Sequence, residues 1–343
     1  MSVSVSVSII MPVYNSANYI ISTLQSVINQ TYQNFDLLLV DDCGLDNSIA
    51  MAESFLVGQG FDRYKILRHE VNGGPSQARN TGLKYSNADY VLFLDSDDFL
   101  EPRCLELLSA PLDEIHYDFV TAGYMEVKQG EKVLHNGRPQ KIIGNVSHVF
   151  KLGDINVMPW NKLCRRQFLI DNELYFKHNI HVHEDYIWTY CMVSKASSAM
   201  ILEDLTYVYN IRSQSLMTSL TISRDLDWYV IALSHMVSFV LDECRENNAN
   251  DYLIIEGKKS AILYSLLQKG EIRLYKETYS KFKDMVYLSP LQAYNQGIIG
   301  LSYLLRDLHY CFPIWLGRIY KRLFYLLYYK LQRKAIRGAI WGE

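Results

Sequence analysis

Two acidic clusters are the groups in this chain best placed to do chemistry. The first, Leu94-Asp95-Ser96-Asp97-Asp98, closes the apolar run Tyr90 to Leu94. Carboxylates two residues apart on extended backbone point to opposite faces, and a turn there lets one reach a metal while its neighbour reaches a ligand hydroxyl. Hard oxygen donors suit Mg2+ or Mn2+, ions that keep several waters and bind substrate phosphates. An acidic helix cap or a solvated loop would use the same residues, so this cluster alone decides little. The second cluster is Glu184-Asp185, which follows Met158-Pro159-Trp160-Asn161-Lys162-Leu163. Adjacent carboxylates repel, which raises one pKa toward that of a general base. Capping the helix that begins near Tyr186 is the plainer use of Asp185. His178, His181 and His183 lie close by. His-x-His occurs in zinc sites, but histidine clusters on loops are more often plain surface.

The elements that must hold these groups are legible in the first third. Val5 to Pro12 reads as a buried strand. Ser16 to Gln30 carries Tyr19, Ile20, Leu24, Val27 and Ile28 at helical spacing, with Asn15 or Ser16 as its cap. Phe35 to Val40 is an apolar strand, Asp46 to Val57 a helix, Tyr64 to Arg68 a short strand. Asn72-Gly73-Gly74-Pro75 breaks the chain before a helix from Ser76 to Tyr85, and Tyr90 to Leu94 is a further strand. Strand–helix units with non-alternating apolar strands imply a parallel sheet covered on both faces. Such sheets bind ligands at the carboxyl ends of their strands. Here three strands end in polar residues: Tyr14-Asn15, Asp41-Asp42 and Asp95 to Asp98. Lys128 to Asn145 is a turn-rich hairpin or loop, Val157 to Ile211 mixes strand and helix signals, and from about Ser223 the pattern is mainly helical. The Gly73-Gly74 pair lacks the Gly-x-Gly-x-x-Gly spacing of a dinucleotide fingerprint.

Taken together, Ser8-Ile9-Ile10-Met11-Pro12-Val13-Tyr14-Asn15, Gln30-Thr31-Tyr32, Leu39-Val40-Asp41-Asp42, Gly73 to Asn80 and Leu94 to Asp98 closely resemble glycosyltransferase family 2 in order and spacing. The resemblance covers about Val5 to Ser215. It implies an α/β fold of the GT-A, nucleotide-diphospho-sugar type, with a mixed, Rossmann-like sheet over 1–220 and a helical C-terminal extension over 221–343. The nucleotide-sugar half would be about 1–100 and the acceptor half about 101–220. It also implies roles. Pro12 and Tyr14 wall the base of a UDP-sugar, and Asp42, or less fittingly Asp41, accepts from the uracil imide. Arg79 lies near the nucleotide or its phosphates, with an ion pair to a neighbouring acid as the alternative. Asp95 contacts ribose or donor sugar and joins Asp97 in holding Mn2+ or Mg2+, with Asp98 as a supporting partner. Asp185 is the base, Glu184 bonds the acceptor, and Trp160 and His183 belong to the acceptor wall. Relatives often carry Arg directly after the tyrosine that is Tyr209 here. Asn210 takes that place and Arg212 falls two residues later, where it would neutralise the leaving diphosphate.

The expected reaction is inverting transfer of a hexose or N-acetylhexosamine to a saccharide or lipid-linked saccharide, in assembly of a bacterial surface polysaccharide. Two rivals use similar residues. A nucleotidyltransferase would release pyrophosphate, and a non-catalytic sugar-nucleotide-binding or assembly protein would not turn over. The donor sugar and linkage depend on loops around 125–160 and 178–215.

Composition fits this reading. The 343 residues are 49% apolar and 21% charged, which suits a packed globular protein. A net charge of -3 gives no argument for nucleic-acid binding. Six scattered cysteines without a Cys-x-x-Cys spacing, and a start that lacks a signal-peptide pattern, suit a cytoplasmic setting. From 313 to 343 there are seven basic residues and one acid. Tyr320, Phe324, Leu327, Tyr328 and Leu331 share one helical face there. That basic, aromatic tail, about 313–340, predicts an interfacial helix at the inner face of the cell membrane, with packing on protein as the competing use.

Overall fold

The computed structural model describes residues 4–144, 146, 155–177 and 184–212, and in the last third 259, 262, 263, 266, 272–284, 295, 319, 320 and 323. The chain divides into two compact units, Met1–Ser219 and Leu220–Glu343.

The first unit is built on one mixed sheet of ten strands. Its parallel part comprises β1 (Val7–Val13), β2 (Phe35–Asp41), β3 (Tyr64–Arg68) and β4 (Tyr90–Phe93). β1 is central, and six of its seven residues are buried, because both of its faces are covered. Ile9, Met11 and Val13 pack with Ile20 and Leu24 of helix α1 (Ile20–Ile28) and with Ala52 and Leu56 of helix α2 (Ser48–Gly58). On the other face, Ile10 meets helix α3 (Gly74–Tyr85) at Gly82. A Cβ there would stand 2.2 Å from an Ile10 methyl, so only glycine lets the helix approach this closely.

The second part of the sheet departs from simple strand–helix alternation. After a two-residue strand β5 (Phe99–Leu100) and helix α4 (Cys104–Ser109), the chain forms the hairpin β6 (Phe119–Lys128) and β7 (Glu131–His135), then β8 (Gln140–Ile143). β9 (Lys162–Arg165) lies antiparallel between β4 and β6. Helices α5 (Arg166–Asp171) and α6 (Glu184–Lys195) follow, and β10 (Ser198–Ile211) runs parallel to β6 with two register shifts. The parallel sheet expected from the first third is therefore extended into a mixed one, as the family resemblance implies.

The expected cap of α1 is not formed. The helix starts at Ile20, and Asn15 and Ser16 spend their side chains elsewhere. Asn15 adopts a left-handed conformation at φ 49°, and its Oδ1 accepts from Leu45 N at 2.8 Å. The Ser16 hydroxyl meets that of Ser96 at 2.6 Å. Both stitch one strand-end loop to another, a demand that outweighs capping.

In the second unit the described residues include α7 (Ile272–Asp284), whose Tyr275, Tyr279 and Phe282 are buried at helical spacing. The tail proposed for a membrane surface falls outside the described residues except at Ile319, Tyr320 and Leu323. Among the described residues no helix is long and apolar enough to cross a membrane.

Candidate active site

The carboxyl ends of β1, β2 and β4 open into a cavity of about 700 Å³. That lies inside the range of small-molecule sites, roughly 300–1,000 Å³. Pro12, Tyr14, Asp42, Arg79, Asp95, Asp97, Trp160, Glu184, Asp185 and Arg212 all line it. The structure thus brings together ten of the twelve residues singled out for a site. Asp41 is not among them. It alternates to the other side of β2, where it pairs with Arg68 at 3.1 Å and lines a separate, smaller cavity. His183, like His178 and His181, lies outside the described residues.

Asp42 is almost fully buried. Its carboxylate accepts from Gly73 N and Gly74 N, each at 2.8 Å, and contacts His69 Nδ1 at 2.8 Å. His69 Nε2 in turn meets the Thr81 hydroxyl at 2.8 Å. Asp42 therefore pins the start of α3, where Gly74 sits at φ 78°, while its carboxylate still lines the cavity. Helix α3 then presents Arg79, and this guanidinium is the hub of the cavity. Nη2 donates to Asp95 and Nη1 to Asp185, both at 2.8 Å, and the plane lies 5.2 Å from the Phe176 ring centroid. Only 3% of the side chain is exposed. Both outer nitrogens are committed to carboxylates, which is the ion-pair alternative for this residue rather than an open phosphate contact.

Glu184 and Asp185 form the first turn of α6, where the helix dipole favours negative charge. Burial outweighs that help. Together with the charges of Glu184 and Asp95, and against the pull of Arg79, it lifts the Asp185 carboxyl to about 7.

Asp98 does not reach outward. It is buried, and accepts from the Tyr207 hydroxyl and from Asn210 N, both at 2.8 Å. Burial and the neighbouring Asp95 push its carboxyl up to about 8. It works as a strut that ties the end of β10 to the Asp95–Asp98 turn. Just beyond that strut, Arg212 ion-pairs with Asp97 and lies 4.6 Å over the Tyr19 ring.

The opposite wall rests on aromatic packing. Trp160 stacks on Tyr207 at 4.4 Å and on Tyr209 at 5.5 Å, with Tyr124 against its edge. It is 2% exposed, so it is a fixed floor more than a free platform. Beneath it Lys162 is fully buried and donates to Asn156 Oδ1 at 2.5 Å, Met158 O at 2.6 Å and Asn161 Oδ1 at 3.4 Å. Burial draws its ammonium down to about 7. Asn161 takes a left-handed φ of 56°, which asparagine tolerates. The Thr189 hydroxyl of α6 holds Val157 O at 2.8 Å. Sequence reasoning passed over Tyr207, Tyr19, Thr189 and the work of Lys162. Only Lys162 had a signal, a lone lysine inside an apolar, aromatic stretch.

Among the described residues no three or more His, Cys, Asp or Glu side chains cluster as a metal site. The donor set still fits a hard cation. Asp95 and Asp97 supply carboxylates at one end of the cavity, and Mg2+ or Mn2+ needs only one or two from protein when phosphates and waters fill the rest.

The sequence-family model described as glycosyl transferase family 2 matches residues 8–175. Glycosyltransferase GlyG of Streptococcus pneumoniae is 26% identical over 65% of this chain and 75% of its own length. The poly(ribitol-phosphate) beta-N-acetylglucosaminyltransferase TarS of Staphylococcus aureus is 30% identical over 59% of this chain. The match spans only 35% of that enzyme. The solved structure of TarS residues 1–349 with UDP-GlcNAc superposes with a TM-score of 0.59 at 22% identity, covering 85% of this chain and 92% of that one. A mannosyltransferase from Pyrobaculum calidifontis, solved with GDP-Man and Mn2+, gives 0.52 at 13%, covering 93% and 86%. These likenesses show the GT-A fold. With the motifs, the fold and the curated relatives in agreement, residues 8–175 form a glycosyltransferase family 2 domain.

Proposed function

We propose that the chain is a metal-dependent, inverting glycosyltransferase that moves a hexose or N-acetylhexosamine from a UDP-sugar to a saccharide or lipid-linked saccharide of a bacterial surface polymer. The observation that carries this reading is the Asp95–Arg79–Asp185 bridge. One buried guanidinium holds the strand-end Asp95 and the helix-end Asp185 side by side on the lining of one cavity, so a donor bound at the strand ends and an acceptor bound at Asp185 meet there.

Asp185 takes the proton of the acceptor hydroxyl as its oxygen attacks the anomeric carbon. The bond from that carbon to the phosphate oxygen breaks, and UDP leaves on the opposite side. A carboxyl lifted to about 7 is well matched to that task near neutral pH. Displacement from one side turns an α-linked donor into a β-glycoside. Glu184 hydrogen-bonds the acceptor, while Pro12 and Tyr14 flank the base and Asp42 meets its imide. Six carboxyl groups and two guanidiniums line the cavity, and even with buried Asp98 held protonated the acids outnumber the bases, a poor balance for a diphosphate. A divalent cation held by Asp97 with Asp95 would offset that charge and stabilise the departing phosphate oxygen. The UDP-GlcNAc bound by TarS 1–349 and the Mn2+ bound by the Pyrobaculum calidifontis mannosyltransferase support the donor class and the metal. The basic tail supports a site of work at the inner membrane face.

The test is UDP release from a panel of UDP-sugars, with and without saccharide acceptors, in Mn2+ or in excess chelator. Metal-dependent release stimulated by an acceptor, with a β-linked product by NMR, is the expected result. Full turnover in chelator removes the metal, pyrophosphate as product points to nucleotidyl transfer, and an α-linked product removes inversion.

A further inference from the structure

Arg212 holds the place beside Asp97 that a cation would need. Three observations fix it there. Its guanidinium ion-pairs with the Asp97 carboxylate, and its carbon lies 4.6 Å from the centroid of the Tyr19 ring. The strand end that carries it is anchored two residues earlier, where Asn210 N donates to buried Asp98 at 2.8 Å. The side chain is about one-third exposed, and its Nε is buried with no hydrogen-bond partner among the described residues. A planar guanidinium wants paired acceptors in one plane, and a single carboxylate plus a ring face leaves part of that fork unused.

We infer that Arg212 is an internal counter-ion that competes with the divalent metal for Asp97 and yields only when a diphosphate enters. This rests on the proposed role of Asp97 in metal binding. Without nucleotide, the metal must displace a charge-assisted contact to gain one carboxylate. With nucleotide, the diphosphate offers Arg212 a better partner, with more negative charge and more acceptor oxygens than one carboxylate and an edge of two oxygens that two nitrogens can grip. Asp97 is then released to the metal, which gains phosphate oxygens at the same time. The metal and the nucleotide therefore bind as a pair. Free Mn2+ alone loads the empty enzyme only weakly.

The exchange is tested by Mn2+ binding to the full chain, followed as loss of the free-ion EPR signal, with and without UDP. The wild type is expected to bind Mn2+ weakly alone and strongly with UDP. Arg212→Gln is expected to bind Mn2+ alone about tenfold more tightly, the worth of one charge-assisted hydrogen bond, and to lose most of the gain that UDP confers. Tyr19→Leu, which removes only the ring beneath the guanidinium, should move Mn2+ affinity the same way by a smaller factor. Arg212→Lys keeps the charge and should keep Mn2+ binding weak. If both Arg212→Gln and Tyr19→Leu bind Mn2+ alone no better than wild type while UDP still recruits it, the counter-ion role is wrong and the metal site stands. If UDP recruits no Mn2+ to the wild type, the metal reading falls and the exchange falls with it.

Discussion

The two walls of the cavity are held in different ways. On the side of β1, β2 and β4, site residues stand at the ends of parallel strands, and the backbone itself delivers them. Asp42 and Asp95 follow directly from buried strands, and Arg79 projects from a helix whose start is pinned by backbone amides. On the side of β6, β9 and β10, the cavity wall is held by side chains: the Trp160 stack, the buried Lys162 and the Thr189 hydroxyl. A wall carried by strand ends tolerates the loss of one side chain. A wall carried by a buried polar network does not, because each lost partner leaves another group unsatisfied.

The sharpest division is expected at Asp185. Asp185→Asn keeps an oxygen for Arg79 but removes the base. Transfer should fall by roughly two to four orders of magnitude, with UDP-sugar affinity and thermal midpoint close to wild type. Near-normal turnover would shift the role to Glu184, and lost UDP binding would mean that the two walls are not separate in function.

Next in size is Lys162→Met. The Met158 carbonyl loses its buried donor and the two asparagine oxygens lose one of theirs, so unfolding stability should drop by about 2 kcal/mol. Urea titration measures it. The comparison sharpens if UDP affinity, measured where the variant is folded, is little changed. It breaks if the variant is as stable as wild type.

The difference between the walls is also why one was easier to read. β3 was expected at Tyr64 to Arg68 and lies there, and β2 and α3 differ from expectation by a residue or two. Each is a local matter of apolar run and breaker. The cavity residues of that side follow, since strand ends are visible in the sequence. The antiparallel insertion of β9 between β4 and β6 joins segments some 40 to 75 residues apart, and no local pattern announces such a pairing. For the same reason nothing local marks Tyr207, whose hydroxyl donates to Asp98 across 109 positions. Asn15 and Ser16 had the composition of a cap, and a long-range bond to another loop overrode it.

The pH dependence should be smaller than either substitution. With the Asp185 carboxyl lifted to about 7, the base form is lost as pH falls, so transfer should rise with pH through about 7 and fall about tenfold per unit below it. Rates at saturating donor from pH 5.5 to 8.5 check this, and the acidic limb should vanish in Asp185→Asn. A flat profile would place the base at an ordinary carboxylate value.

The smallest expected effect tests the link between the walls most directly. Thr189 lies one helical turn after Asp185 on α6, hence on the same face. Its hydroxyl donates to Val157 O, and Val157 begins the loop that carries Met158 and Trp160 into the cavity. The base and the opposite wall are therefore tied through one buried hydrogen bond. Thr189→Val keeps the shape and removes only that bond, which should cost about 1 kcal/mol of stability. If the bond served packing alone, transfer and its acceptor dependence would be unchanged at temperatures where the variant is folded. If it sets the gap between Asp185 and the loop, the acceptor KM should rise severalfold while UDP affinity holds. Thr189→Ser, which restores the hydroxyl without the methyl, should then recover the acceptor KM, and its failure to do so would assign the effect to packing.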